Sequence, residues 1–130
     1  MTNLHKALME FWQQFGVPVF VAGAVDDQTP FPYITIDIGE GGLGGSTVLK
    51  ATTWHRRKPE ESVSVPMLER LALLDQITVA FPPDGRFLVY EGGYAAMYRN
   101  EPNFISYVGD QNDPDVIGGR VAYEIHFYNP

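Results

Sequence analysis

The sequence predicts an α+β domain built on a mainly antiparallel sheet, with two helices packed on one side and a long β-hairpin. Three observations predict it. An apolar stripe of helical period opens the chain, two runs of strand character flank a glycine-rich segment, and a second apolar helical segment separates them from further strand-like runs. At 130 residues the chain suits a single domain spanning 1–130, since one core usually serves roughly 100 to 200 residues.

Leu4, Leu8, Phe11 and Phe15 recur at helical spacing, with Ala7 and Trp12 widening the stripe, and predict a helix from about Asn3 to Phe15 that packs on a sheet. Thr2 or Asn3 can cap its start, and Gly16 followed by Pro18 ends it. From Tyr33 to Ile38 the chain alternates, with Ile34, Ile36 and Ile38 on one face and Tyr33, Thr35 and Asp37 on the other. Five glycines fall within 39–45, and a second extended run over about Thr47–Arg57 pairs with the first as a hairpin. Lys58, Pro59, Glu60 and Glu61 form its exit turn.

Ser64 is the expected N-cap of the second helix, with Pro66 in its first turn, where the missing N–H costs little. Met67, Leu68, Leu71, Ala72, Leu74 and Asp75 follow, and Pro82, Pro83, Asp84 and Gly85 make a turn. A short strand over Arg86–Tyr90 and a final strand over Arg120–Tyr128 complete the order α, β, β, α, β, β. In the last strand Val121, Tyr123, Ile125 and Phe127 are expected inward. Between these two strands, periodicity is weak outside a possible strand at Phe104–Val108, so 91–119 reads as a long loop, expected to be mobile until assembly. Its load of Tyr94, Met97, Tyr98, Phe104 and Tyr107 points to either an assembly surface or packing over the sheet.

Composition narrows the function classes. The chain contains no cysteine, which removes disulfide frameworks, thiolate zinc sites and cysteine nucleophiles. Glu10, Gln13 and Gln14 interrupt the N-terminal apolar positions, so no secretory signal is read, and no run approaches the roughly 20 apolar residues of a membrane span. A cytoplasmic site of synthesis and no membrane partner are expected. The net charge of −7 argues against a free-standing nucleic-acid binder. One cluster runs against this acidity: Lys50, then Arg56, Arg57 and Lys58.

Gly39, Gly41 and Gly44 have the spacing of a dinucleotide fingerprint, but the following Ser46–Trp54 segment reads as strand rather than the helix a pyrophosphate needs. His5, His55 and His126 are far apart and read as surface residues, not a zinc site. Asp110, Asn112, Asp113 and Asp115 resemble a calcium loop, yet Pro114 and Asp115 occupy positions that need a ligand and a glycine, so a solvated acidic turn is the reading. No serine lies in a nucleophile elbow. No catalytic residue, metal or cofactor is expected.

Phe15, Gly16, Val17 and Pro18, followed by Phe31, Pro32, Tyr33, Ile34 and Thr35, resemble the tail terminator and head–tail joining proteins of long-tailed bacteriophages. The later order also resembles that family: a strand ending in basic residues, a second helix, a short strand, and a last strand ending in Phe-Tyr. The resemblance is weakest over 91–119. It implies a tail-terminator-like fold and a non-enzymatic virion protein that forms a ring, usually of six copies. That ring would cap the tail tube, meet the head connector protein, and let DNA pass without specific binding. The expected interface residues are Gly41 and Gly44 in the hairpin tip; Arg56, Arg57 and Lys58; Tyr94, Met97 and Tyr98; and Asp110, Asp113 and Asp115. Six copies of a −7 chain carry −42, so the basic run is expected to meet a neighbour's acidic turn and ease ring closure. A small α+β ligand-binding or regulatory domain, another neck or minor capsid protein, and, less favoured, an enzyme are the alternatives.

Overall fold

The computed structural model describes residues 3–38 and 46–128. Its elements are α1 (Asn3–Gln13), β1 (Val19–Val21), β2 (Tyr33–Ile36), β3 (Ser46–Arg56), α2 (Ser64–Ala80), β4 (Arg86–Tyr90), β5 (Gly93–Arg99), β6 (Ile105–Asp110) and β7 (Asp113–Tyr128). They form one α+β fold: a seven-stranded, mostly antiparallel sheet in the order β1-β2-β3-β7-β5-β4, with β6 also paired to β7 and only β1–β2 parallel. Both helices lie against the same face. Among the described residues no helix is long and apolar enough to cross a membrane.

β7 organises the sheet. Its Val116–His126 segment pairs with β3, while on its other edge Asp113–Val121 meets β6 and Tyr123–Tyr128 meets β5. Alternation along these strands sends Leu49, Ala51, Thr53 and His55 of β3, and Val121, Tyr123 and Ile125 of β7, toward the helices, and all are buried. α1 places Leu4, Leu8, Phe11 and Trp12 on that face, as its stripe predicts, whereas Phe15 lies beyond the helix and is half-buried. The core centres on aromatic rings. Trp12, Phe81 and Tyr123 lie 5.2–5.8 Å apart between centroids, Phe11 and Phe104 flank Phe81, and the Trp12 indole N–H donates to the Tyr123 hydroxyl at 3.3 Å. Desolvation pushes the Tyr123 phenol well above its usual range, so it stays neutral.

α2 lies over β3 and β7 through Leu73, Leu74 and Ile77. Its N-terminus differs from the expectation: Ser64 is already helical, Val63 occupies the cap position without a side-chain bond, and the Ser62 hydroxyl accepts the Ser64 N–H. At its C-terminus Arg99 donates to the carbonyls of Phe81 at 2.6 Å and Thr78 at 3.1 Å, satisfying the free end of the helix with a cation. Gly119 lets the helix approach β7, since a Cβ there would sit 2.7 Å from Leu74 Cδ1.

The expected loop over 91–119 is instead most of a three-strand assembly. β4 and β5 join through Glu91 and Gly92, with Gly92 at φ 98°, and β6 and β7 join through Gln111 and Asn112. The segment read as a solvated acidic turn is therefore a hairpin tip, and the final strand starts seven residues earlier than expected, at Asp113 rather than Arg120. With its backbone paired across β4, β5, β6 and β7, this region no longer supports the expectation that it is mobile in the free chain.

Candidate functional site

β3 and β7 bring the expected basic run and acidic turn together within one chain. Their register sets Arg56 opposite Val116, at the end where β7 begins. Arg56 Nη2 donates to Asp113 Oδ2 at 2.5 Å, and Arg57 donates to Asp115 Oδ1 from Nε at 3.0 Å and from Nη2 at 2.9 Å. Arg57 Nη1 also reaches the Glu61 carbonyl, and the Arg56 guanidinium sits 5.2 Å from the Phe31 ring centroid. The Asp113 carboxyl is held below its usual range, first by the Asp115 N–H and then by Arg56. This corrects the expectation that Arg56 and Arg57 wait for a neighbour's Asp113 and Asp115, because the cations are already neutralised at home. Asp110 accepts the Asn112 N–H in the hairpin tip. Lys58 is exposed, and its ammonium has no partner among the described residues.

Of the expected aromatic contacts, Tyr94 is exposed and stacks on Tyr128, with centroids 5.0 Å apart and planes at 17°. Tyr98 is half-buried, edge-on to His126 at 5.5 Å, and its ring covers Gly85 so closely that a Cβ there would lie 2.4 Å from Cε1. Met97 is a correction. It lies opposite Ile125 on the helix side of the sheet and is 0% exposed, so it belongs to the core and cannot touch a partner. Gly41 and Gly44 fall outside the described residues.

Two apolar surfaces emerge, of which the sequence reading singled out only Tyr94. On α2, Val65, Leu68, Leu71, Ala72 and Val79 form a solvent-facing stripe opposite the buried Leu73 and Ile77, with Val79 82% and Leu68 63% exposed. A helix apolar on both faces normally has protein on both. On the face of the sheet away from the helices, Phe87 and Val89 of β4, Tyr94 of β5 and Tyr128 of β7 form the second surface, with Val89 82% exposed. β4 is also a terminal strand of the sheet, with one backbone edge unpaired by any other strand described.

The helix-side interior holds a polar chain. His55, fully buried rather than at the surface as expected, lies with Nδ1 2.7 Å from Glu69 Oε1 and Nε2 2.9 Å from Thr53 Oγ1, and Thr53 Oγ1 accepts the Gly119 N–H at 3.1 Å. Desolvation lowers the His55 pKa, outweighing the Glu69 hydrogen bond and charge that raise it. The neutral ring then donates from Nδ1 to Glu69 and accepts the Thr53 hydroxyl proton at Nε2. A hydroxyl, an imidazole and a carboxylate in this order mimic a nucleophilic triad. However, Thr53 is 1% exposed and its oxygen is engaged by Gly119, so no substrate reaches it. The chain ties α2 to β3 and β7.

The open face of the sheet carries a concavity of about 470 Å³ lined by Tyr33, Thr35, Thr52 and Trp54 together with the charged Asp37, Lys50 and Arg120. Neither Lys50 nor Arg120 has a side-chain partner among the described residues. An adjoining hollow of about 260 Å³ shares Tyr33 and Trp54 and adds Asp26, Asp27 and Asp110. Among the described residues no group of three His, Asp or Glu side chains is arranged to hold a metal ion.

No protein-family model and no curated protein matches the chain. Among solved structures, one designated only by a sequence identifier is similar over 98% of this chain and 93% of its own, with 15% identity and a TM-score of 0.54. That likeness is one of fold.

Proposed function

We propose that this chain is a non-enzymatic structural subunit of the tail terminator and head–tail joining kind, which forms a ring at the end of a phage tail tube and meets the head connector in the virion. The observation that carries the reading is the apolar surface left open on α2 and on β4, β5 and β7. Contiguous apolar patches on a folded subunit mark places where other protein sits. The Phe-Gly-Val-Pro and Pro-Tyr-Ile-Thr segments support it further, in the positions where the resembling family has them. In this reading the chemistry is geometric: a closed ring matching the tube covers the surface to which the next tube subunit would add, and so stops growth. DNA passes through a ring of acidic subunits without specific contacts.

A second reading has its own observation. The concavity lined by Tyr33, Trp54, Lys50, Arg120 and Asp37 is of a size that suits a small polar ligand, with two cations against one carboxylate. Light scattering of the purified chain, alone and with tail-tube protein, separates the two. A mass near six subunits, or capture on tubes, is expected for the ring. A monomer at every concentration that ignores the tube contradicts it.

A further inference from the structure

We infer that Glu69, held in place by the buried His55, anchors a binding site for a small organic cation, a primary alkylamine or a guanidinium, in the hollow between the start of α2 and the 27–32 segment. The site stands independently of the ring reading.

The hollow measures about 580 Å³, within the range of small-ligand sites, and Phe31, Pro32, Val65 and Pro66 line it beside Lys58 and Glu69. Val65 and Glu69 stand one turn apart on the same face of α2 and share a wall. A half-exposed glutamate on a helix normally moves among its rotamers. Here Oε1 takes the His55 Nδ1–H at 2.7 Å, from a ring that is itself 0% exposed. That bond orders the carboxylate before any ligand arrives, which removes an ordering cost from binding. The neutral imidazole also donates without cancelling the charge. Arg70, the next residue of α2, is engaged by the Gly118 carbonyl at 3.2 Å and the Tyr107 ring, so no lysine or arginine pairs with Glu69 among the described residues.

Charge then selects the ligand class. Asp27 and Glu61 line the same hollow, and Arg56 is committed to Asp113, so three carboxylates stand against the one cation without a carboxylate partner, Lys58. An anion would meet net negative charge. A bare metal ion would find no set of three His, Asp or Glu ligands among the described residues. An organic cation suits both features, because its short alkyl stem lies against the apolar lining while its head donates to Glu69 in a charge-assisted bond.

The test is a heteronuclear NMR titration of the whole 15N-labelled chain at neutral pH with n-butylamine and with Nα-acetyl-lysine N-methylamide, n-butanol serving as the uncharged control. Both cations should shift the Val65 and Glu69 amides and the His55 ring nitrogens saturably, and n-butanol should not. The tighter of the two cations tells whether the site takes a free amine or a basic residue of a peptide. Glu69→Gln retains an acceptor for His55, so its unfolding midpoint should stay near wild type while binding weakens about tenfold or more and the His55 shifts vanish. Lys58→Met, at an exposed position, should tighten binding about two- to fivefold, the range of an exposed charge pair. The sign of that change decides even where Glu69→Gln fails to fold. The inference is overturned by an absence of saturable shifts with either cation, by equal binding of n-butanol, by a folded Glu69→Gln that binds like wild type, or by weaker binding in Lys58→Met.

Discussion

At the residue scale, burial decides which polar groups act. His55 is an interior strut, so His55→Leu should leave Glu69 and Thr53 each short of one bond and cost about 1 to 3 kcal/mol in urea unfolding. Its pH dependence has a definite sign. The folded pKa is depressed below 6.5, so the unfolded chain binds the proton more readily and stability falls as pH drops below about 6.5. The wild type should therefore lose stability relative to His55→Leu between pH 7 and pH 5. Parallel pH profiles would contradict a neutral His55. The arginine pairs act differently. Arg56–Asp113 and Arg57–Asp115 are part-exposed and screened by solvent, so reversing both arginines to glutamate should lower the subunit's own unfolding midpoint only slightly while leaving self-association close to wild type. Loss of assembly without any change in the midpoint would return these residues to the interface.

At the element scale, α2 contains the sharpest contrast. Leu74 is 2% exposed against Gly119 and Leu68 is 63% exposed. Leu74→Ala should cost about 2 to 5 kcal/mol, while Leu68→Ala should stay within about 0.5 kcal/mol in the free subunit. Equal effects would contradict the facing of the helix. This facing was not legible in the sequence, because apolar residues on both sides of α2 leave the 3.6-residue period no preferred direction. The stripe of α1 and the alternation of β2 were legible, since polar residues on their other faces mark one direction as inward. β5 was hidden because Ala95 and Ala96 face opposite sides yet look alike, and the start of β7 because Asp113, Pro114 and Asp115 carry turn chemistry into a strand. The Arg56 and Arg57 partners were hidden for another reason: residues 57 or 58 apart meet only through the β3–β7 register. Hydrogen exchange should accordingly find the amides of β5, β6 and β7 protected in the free chain. Exchange at loop rates across 93–110 would contradict the pairing.

At the scale of the whole molecule, the fold buries an aromatic core on one side of the sheet and leaves apolar surface on two outer sides, a division that suits a subunit more than a solitary domain. The most direct test of that account is electron microscopy of tail-tube protein polymerised alone and with the chain added at a low ratio. The account predicts shortened tubes bearing a ring of density at one end. Tubes of unchanged length with bare ends, at any amount of added chain, would contradict it.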